Sequence, residues 1–293
     1  MSSADPGAHP SAGPGADPGA DPGANFPDAR APGPGSPART VPSVPPSRRF
    51  LWAEVGLVLG LSLGQSAAYS VVSLLDKATR APLAGQTTTL NNSLNPREYF
   101  DLAYQLLDIF FALVPVVLVF FLLRQVPGGN PFRRLGLDAR RPWRDAGLGV
   151  GLFAAMGAGT LGVYAAGRAL GVTTAIVPAA LDPYWWTVPV LLLSAVRHGI
   201  LEEVIVVGYL FERLPRLGWG TWQVLVASAV LRGSYHLYQG VGPFLGNFAM
   251  GLVFGWVYLK TRRVMPLVIA HALLDAAGFV GFALFGPAIG LGT

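Results

Sequence analysis

The sequence predicts an all-α, polytopic transmembrane helical bundle behind a disordered N-terminal tail, and three observations predict it. Only 13% of the 293 residues are charged, against 52% apolar, whereas a soluble domain carries about 25% charged residues. From Leu51 onward, apolar runs of about 20 residues follow one another with short polar breaks, each long enough to cross a hydrocarbon layer of about 30 Å. Twelve of the 25 prolines fall within residues 1–48, so the excess of Pro belongs to one segment rather than to the apolar runs. A mean hydropathy of +0.47 does not fit a water-soluble globule.

Residues 1–49 form the tail. The unit Ala-Asp-Pro-Gly occurs three times there, and four Asp are balanced by Arg30, Arg39, Arg48 and Arg49. So few apolar side chains cannot offset the entropy of ordering, and disorder with local polyproline II character is expected. No apolar stretch near Met1 has the make-up of a cleaved secretory signal. The absence of cysteine removes disulfides, thiolate metal sites and a Cys nucleophile together.

Residues 50–293 form the membrane domain. The runs lie at about 51–75, 101–124, 146–170, 184–210, 219–239, 243–260 and 264–286, giving about seven spans with room for an eighth. The pairs Gly60/Gly64, Gly147/Gly151 and Gly251/Gly255 have the spacing that lets membrane helices approach closely. Thirteen basic residues lie in alternate breaks, around Arg48, Arg133, Arg213 and Lys260, while the opposite breaks hold Lys77, Arg80 and Arg97. The excess marks the cytoplasmic side, so the tail is expected inside the cell, in the plasma membrane, and the C-terminus outside. The net charge of +5 then follows from topology. No basic patch with interleaved aromatics suggests nucleic acid.

An ionisable side chain at the centre of a span costs roughly 2.5–3.5 kcal/mol on insertion scales, so each is a functional-site candidate. Arg197, His198, Glu202 and Glu203 lie in the fourth run, Arg232 and His236 in the fifth, His271 and Asp275 in the seventh; Glu54, Asp108 and the neutral Asn247 are elsewhere. His198/Glu202, Arg232/His236 and His271/Asp275 are spaced i,i+4, which puts each pair on one helix face. Such pairs serve equally as hydrogen-bonding glue between helices, but two glutamates and two histidines gathered in the second half favour a working site. A Glu in an apolar cavity suits a general base acting on water. One His can share that water, and a second can stabilise an oxyanion. Glu with two His is also a zinc-ligand set, here Glu202, His236 and His271, although His-Glu-x-x-His is absent. The serines near the cluster, Ser194 and Ser234, lie in no Gly-x-Ser-x-Gly elbow.

In order, Glu202-Glu203-Val-Ile-Val-Val-Gly208, Arg232-Gly-Ser-Tyr-His236 and His271-Ala-Leu-Leu-Asp275 resemble the three motifs of the CPBP intramembrane proteases, the group of CAAX prenyl endopeptidases and bacteriocin-processing enzymes. Their pattern is Glu-Glu-x-x-x-Arg, Phe-x-x-x-His and His-x-x-x-Asn or Asp, and the likeness covers about residues 184–280. It implies that Glu202 is the general base, His236 assists it, His271 with Asp275 faces the tetrahedral intermediate, and Glu203 supports them. It implies no required cofactor, with zinc as the open alternative, and a glutamate-type endopeptidase often labelled a metalloendopeptidase. The substrate would be a peptide or membrane-anchored protein.

The chain departs from that pattern. Val207 stands where motif one has Arg, Arg232 where motif two has Phe, and Asp275 where Asn is common. Arg232, one turn before His236, is the candidate to neutralise Glu203, with Arg197 as the competing partner. An ionised Asp275 cannot donate to an oxyanion and would rather hold one tautomer of His271; the alternative is that it stays protonated. His198 is read as a supporting or structural group. Trp185, Trp186, Trp219 and Trp222 fit interfacial belts. Two readings rival the protease: a non-catalytic membrane scaffold or immunity protein, favoured by Val207, and a proton-coupled transporter.

Overall fold

The structure, a computed structural model, describes residues 47–125 and 129–285. The disorder expected of the tail concerns residues that, up to 46, lie outside that range. Helix α1 (Arg48–Gly60) starts where the Ser47 hydroxyl accepts from the Phe50 N–H at 3.2 Å. It meets α2 (Leu63–Arg80) at a bend of 56°. There the Ser62 hydroxyl donates to the Val58 carbonyl at 2.6 Å, a back-bond that bends helices. Strand β1 (Thr87–Thr89) follows, then α3 (Glu98–Ala112) and α4 (Val114–Arg124), which run on as one apolar span.

Short α5 (Pro131–Leu135) is opened by Asn130, whose side chain accepts from the Phe132 N–H at 2.9 Å. Next come α6 (Pro142–Ala169), strand β2 (Ala175–Val177) and α7 (Thr187–Glu202). Helices α8 (Leu210–Arg213), α9 (Thr221–Ser234), α10 (Val241–Thr261) and α11 (Met265–Phe285) complete the order. β1 and β2 pair in parallel, Thr88 opposite Ile176.

Among the described residues, four helices have the length and apolarity to cross a membrane: the joined α3–α4, α6, α10 and α11, with a fifth if bent α1–α2 counts as one. The seven spans read from the apolar runs are not confirmed. The fourth run stops being an α-helix after 16 residues and continues as a π-helix, Glu203–Tyr209. The fifth stops after 14, before His236, and turns through Leu237–Gln239. Hydropathy counts apolar side chains and cannot register a change of hydrogen-bond pattern within them.

Phe110, Phe111, Val117 and Phe121 of α3–α4 are each more than half exposed. A contiguous apolar face of this kind needs lipid rather than water beside it, and the chain is an integral membrane protein. The core lies instead around the π-helix, where Val204, Ile205, Val206 and Val207 are fully buried against Val119, Phe254 and Leu267.

The glycine pairs divide. Gly251 and Gly255 lie against α9, where an added Cβ would stand 2.8 Å from Ala229 Cα and 2.5 Å from Leu225 Cδ1. Among the described residues, an added Cβ at Gly60, Gly147 or Gly151 meets nothing within 4 Å, whereas one at Gly64 would stand 2.8 Å from the Leu59 carbonyl oxygen. Among the tryptophans, Trp185 and Trp222 are exposed as belts require, but Trp186 is buried and stacks on Tyr184.

The basic breaks meet at one end of the bundle. Arg48 donates to the Leu217 carbonyl, Arg134 pairs with Glu212 at 2.8 Å, and Arg263 ties Asp145 at 2.6 Å and Asp138 at 2.9 Å. Asp138 lies outside the spans. Its partial burial pushes the carboxyl up, and the Arg140 N–H and the Arg263 guanidinium outweigh this and hold it below the usual carboxylate range.

Candidate active site

Glu202 ends α7 and Glu203 opens the π-helix. The run Val204-Ile-Val-Val207 is β-branched throughout, and such side chains are crowded at χ1 in an α-helix. π-Segments often mark functional sites. The Ser228 hydroxyl of α9 donates to the Val206 carbonyl at 2.9 Å and so helps satisfy the altered backbone. At Gly199, an added Cβ would stand 3.0 Å from the Val268 carbonyl oxygen, so α7 and α11 approach closely one turn before the glutamates.

Glu203, fully buried, accepts on both oxygens from Arg232 Nη2 at 2.7 Å, and His271 Nδ1 lies 2.6 Å from its Oε1. Arg232 is itself fully buried. Glu202 has a different set of neighbours. Its Oε2 accepts from the Tyr235 hydroxyl at 2.6 Å, with Arg232 Nη1 at 3.6 Å and His271 Nε2 at 3.8 Å. Two adjacent carboxylates are thus bridged by one guanidinium and one imidazole. The ring of His271 is aligned by its 2.6 Å bond to Glu203, and its Nε2 is turned toward Glu202.

His236 stands just beyond α9, its Nδ1 3.3 Å from Gln239 Nε2, and its buried Nε2 has no hydrogen-bond partner among the described residues. Asp275 does not orient His271 as the sequence suggested. It lies 3.2 Å from His198 Nδ1 and 3.8 Å from His271 Nε2, because Glu203 already occupies Nδ1. His198 packs edge-on against Phe279. Arg197 faces another way, with Nη2 3.2 Å from Asp108 Oδ2, which leaves Glu203 to Arg232. Tyr235 and Gln239, which their place beside His236 offers either as cavity lining or as partners for polar backbone, carry bonds to the site. Their only signal was adjacency to His236.

Among the described residues, those gathered closely enough to ligate one ion are Glu202, Glu203 and His271, with ligand atoms within 4.8 Å of one another. This is not the set Glu202, His236 and His271 expected from sequence, since His236 lies past the end of α9. The group is a poor fit for a dication. Arg232 already supplies a cation to both oxygens of Glu203, and a metal would have to displace it.

Residues 184–277 match the family model described as Rce1-like, type II CAAX prenyl endopeptidase Rce1-like. Over this stretch the chain is similar to the CAAX-type prenyl endopeptidases, which supports a protease of the CPBP family. No curated protein and no solved structure matches the chain. The Rce1-like stretch runs from just before α7 through most of α11 and holds every ionisable residue of the cluster. Outside it, α1 contributes Glu54, whose Oε1 accepts from Arg213 Nε at 2.6 Å and from the Tyr209 hydroxyl at 3.0 Å. Arg213 also donates to the Leu122 carbonyl of α4 at 3.2 Å. That buried pair fastens the first helices to the end of the Rce1-like π-helix.

Proposed function

We propose that the chain is an intramembrane endopeptidase that hydrolyses a peptide bond with water activated by Glu202. The observation that carries this reading is the arrangement of Glu202 between a phenol donor, Tyr235, and the Nε2 of a histidine whose other nitrogen is tied to Glu203. Glu202 takes a proton from water, and the hydroxide forms a bond to the scissile carbonyl carbon. The oxyanion is stabilised by donation from His271. Glu202 then returns the proton to the leaving amine as the C–N bond breaks. His236, with an unpaired buried Nε2, holds the water or the substrate carbonyl.

Arg232 supplies beside Glu203 the positive charge that Val207 cannot, which removes the main ground for a non-catalytic scaffold. The reaction is read as metal-free, on the chemistry of the donor set: Glu203 is committed to Arg232 and His271. The substrate is a peptide or membrane-anchored protein. The clustering of basic breaks at one end supports a cytoplasmic N-terminus.

The test uses full-length protein in lipid nanodiscs with a peptide library. Wild type is expected to cleave, and Glu202→Gln and His236→Ala to lose cleavage. Cleavage that persists in both variants overturns the mechanism. Activity abolished by a chelator and restored by zinc overturns the metal-free reading.

A further inference from the structure

A cavity of about 590 Å³ lies between α6, α10 and α11, and the hydrolytic scheme above makes no use of it. One wall is strand β2. Its inner edge is taken by the chain leading into and out of β1, since Ala175 N–H donates to the Gln86 carbonyl at 2.8 Å and the Val177 carbonyl accepts from Leu90 N–H at 3.0 Å. Backbone groups of neighbouring strand residues point to opposite edges, so the N–H and C=O of Ile176 face away from β1. Among the described residues, the Ile176 N–H is held only by the Tyr164 hydroxyl, at 3.2 Å, and both residues line the cavity.

β2 also has a fixed offset from His236. The N–H and hydroxyl of Thr174 both donate to the Gln239 carbonyl, at 3.1 and 3.0 Å. Gln239 in turn reaches His236 and lines the same cavity. Thr173 just before is locked between Gly167 and Gly242, where an added Cβ would stand 2.3 and 2.2 Å from its Oγ1. Gly240, at φ 112°, makes the turn that brings Val241 N–H onto the Val172 carbonyl at 2.9 Å. β2 is therefore tied through Gln239 to His236.

We propose that this cavity is the substrate cleft, and that an extended segment of the substrate adds to the outer edge of β2 as a third strand. A substrate carbonyl replaces the Tyr164 hydroxyl on the Ile176 N–H, and a substrate N–H pairs with the Ile176 carbonyl. The edge selects the occupant. An extended peptide offers a donor and an acceptor at strand spacing, a helix has both groups already bonded, and an acyl chain has neither. The side chains of such a segment would meet a lining that combines the apolar Val163 and Val177 with the polar Asn247. The proposal rests on the protease reading and names how that site receives its substrate.

The probe is a library of random L-decapeptides incubated with the full chain in nanodiscs, carrying Glu202→Gln to prevent turnover, with retained peptide read by mass spectrometry. Ile176→Pro removes the outward N–H while leaving the bonds of Ala175 and Val177 to the β1 side. Relative to Ile176→Ala it is expected to lower retention roughly three- to tenfold, the worth of about one hydrogen bond. A backbone N-methylated library should fall as far on the unsubstituted edge. Tyr164→Phe frees the N–H and should raise retention roughly two- to threefold, which serves also if the proline variant does not fold. Equal retention by the proline and alanine variants, reduced retention by Tyr164→Phe, or no retention above empty nanodiscs overturns the proposal. Cleavage by the parent chain that Ile176→Pro leaves unchanged sinks the strand and spares the protease. Edge-dependent retention without any cleavage sinks the protease and spares the strand.

Discussion

Replacing Arg232 by Met removes a guanidinium from a place where nothing else can stand in for it. Glu203 would lose two bonds of 2.7 Å and Glu202 a cation 3.6 Å away, while Glu203 stays fully buried. Breaking a buried pair from one side costs about 3–5 kcal/mol, because the remaining charge is left without water or partner. The lower end applies here, since His271 still reaches Glu203 at 2.6 Å. A loss of about 3 kcal/mol lowers the folded-to-unfolded ratio more than a hundredfold, which denaturant unfolding in nanodiscs resolves. The double variant Glu203→Gln/Arg232→Met carries neither charge and should recover most of the loss, a non-additive outcome expected of groups in direct contact. An unaffected Arg232→Met protein, or a double variant that loses the sum of the singles, refutes the pairing as a determinant of stability.

Tyr235→Phe removes one hydrogen bond to the Glu202 carboxylate, worth about 1.5–3 kcal/mol for a charged acceptor. It should lower kcat/KM about ten- to a hundredfold with the fold retained, measured on a cleaved library peptide. Arg213→Leu strands Glu54 at the junction of α1, α4 and the π-helix and should cost about 3–5 kcal/mol, read by the same unfolding assay. Asp138 has a depressed carboxyl in the folded state, so its contribution is present above the unfolded value near pH 4 and is lost as pH falls through the folded one. Asp138→Asn should therefore narrow the drop in melting temperature on acidification without changing its direction. A melting profile that superimposes on wild type from pH 7 to 3 contradicts this.

The sequence made the cluster legible because membrane helices tolerate few ionisable groups, and i,i+4 spacing places pairs on one face without any knowledge of neighbours. Arg232 could be proposed as partner of Glu203 on that basis, and the structure places their groups in direct contact. Spacing along one helix says nothing, however, about which atom faces it from the next. That is why Asp275 was assigned to His271 when Glu203 holds it, and why the reach of Tyr235 to Glu202 went unassigned. Span counting met a similar limit, because α7 passes into a π-helix inside an unbroken apolar run.

By itself the sequence determined the membrane as solvent, the separation of a Pro-rich tail from apolar helices, and the identity of the groups that had to find partners inside. These follow from composition and from the cost of burying charge, which are properties of residues. Only the tertiary structure decided how the partners are shared: one arginine and one histidine between two glutamates, and an outer strand edge set at a fixed offset from His236. Those depend on helix rotation, on a local change of helical pitch and on residues far apart in the chain, and no local pattern encodes them.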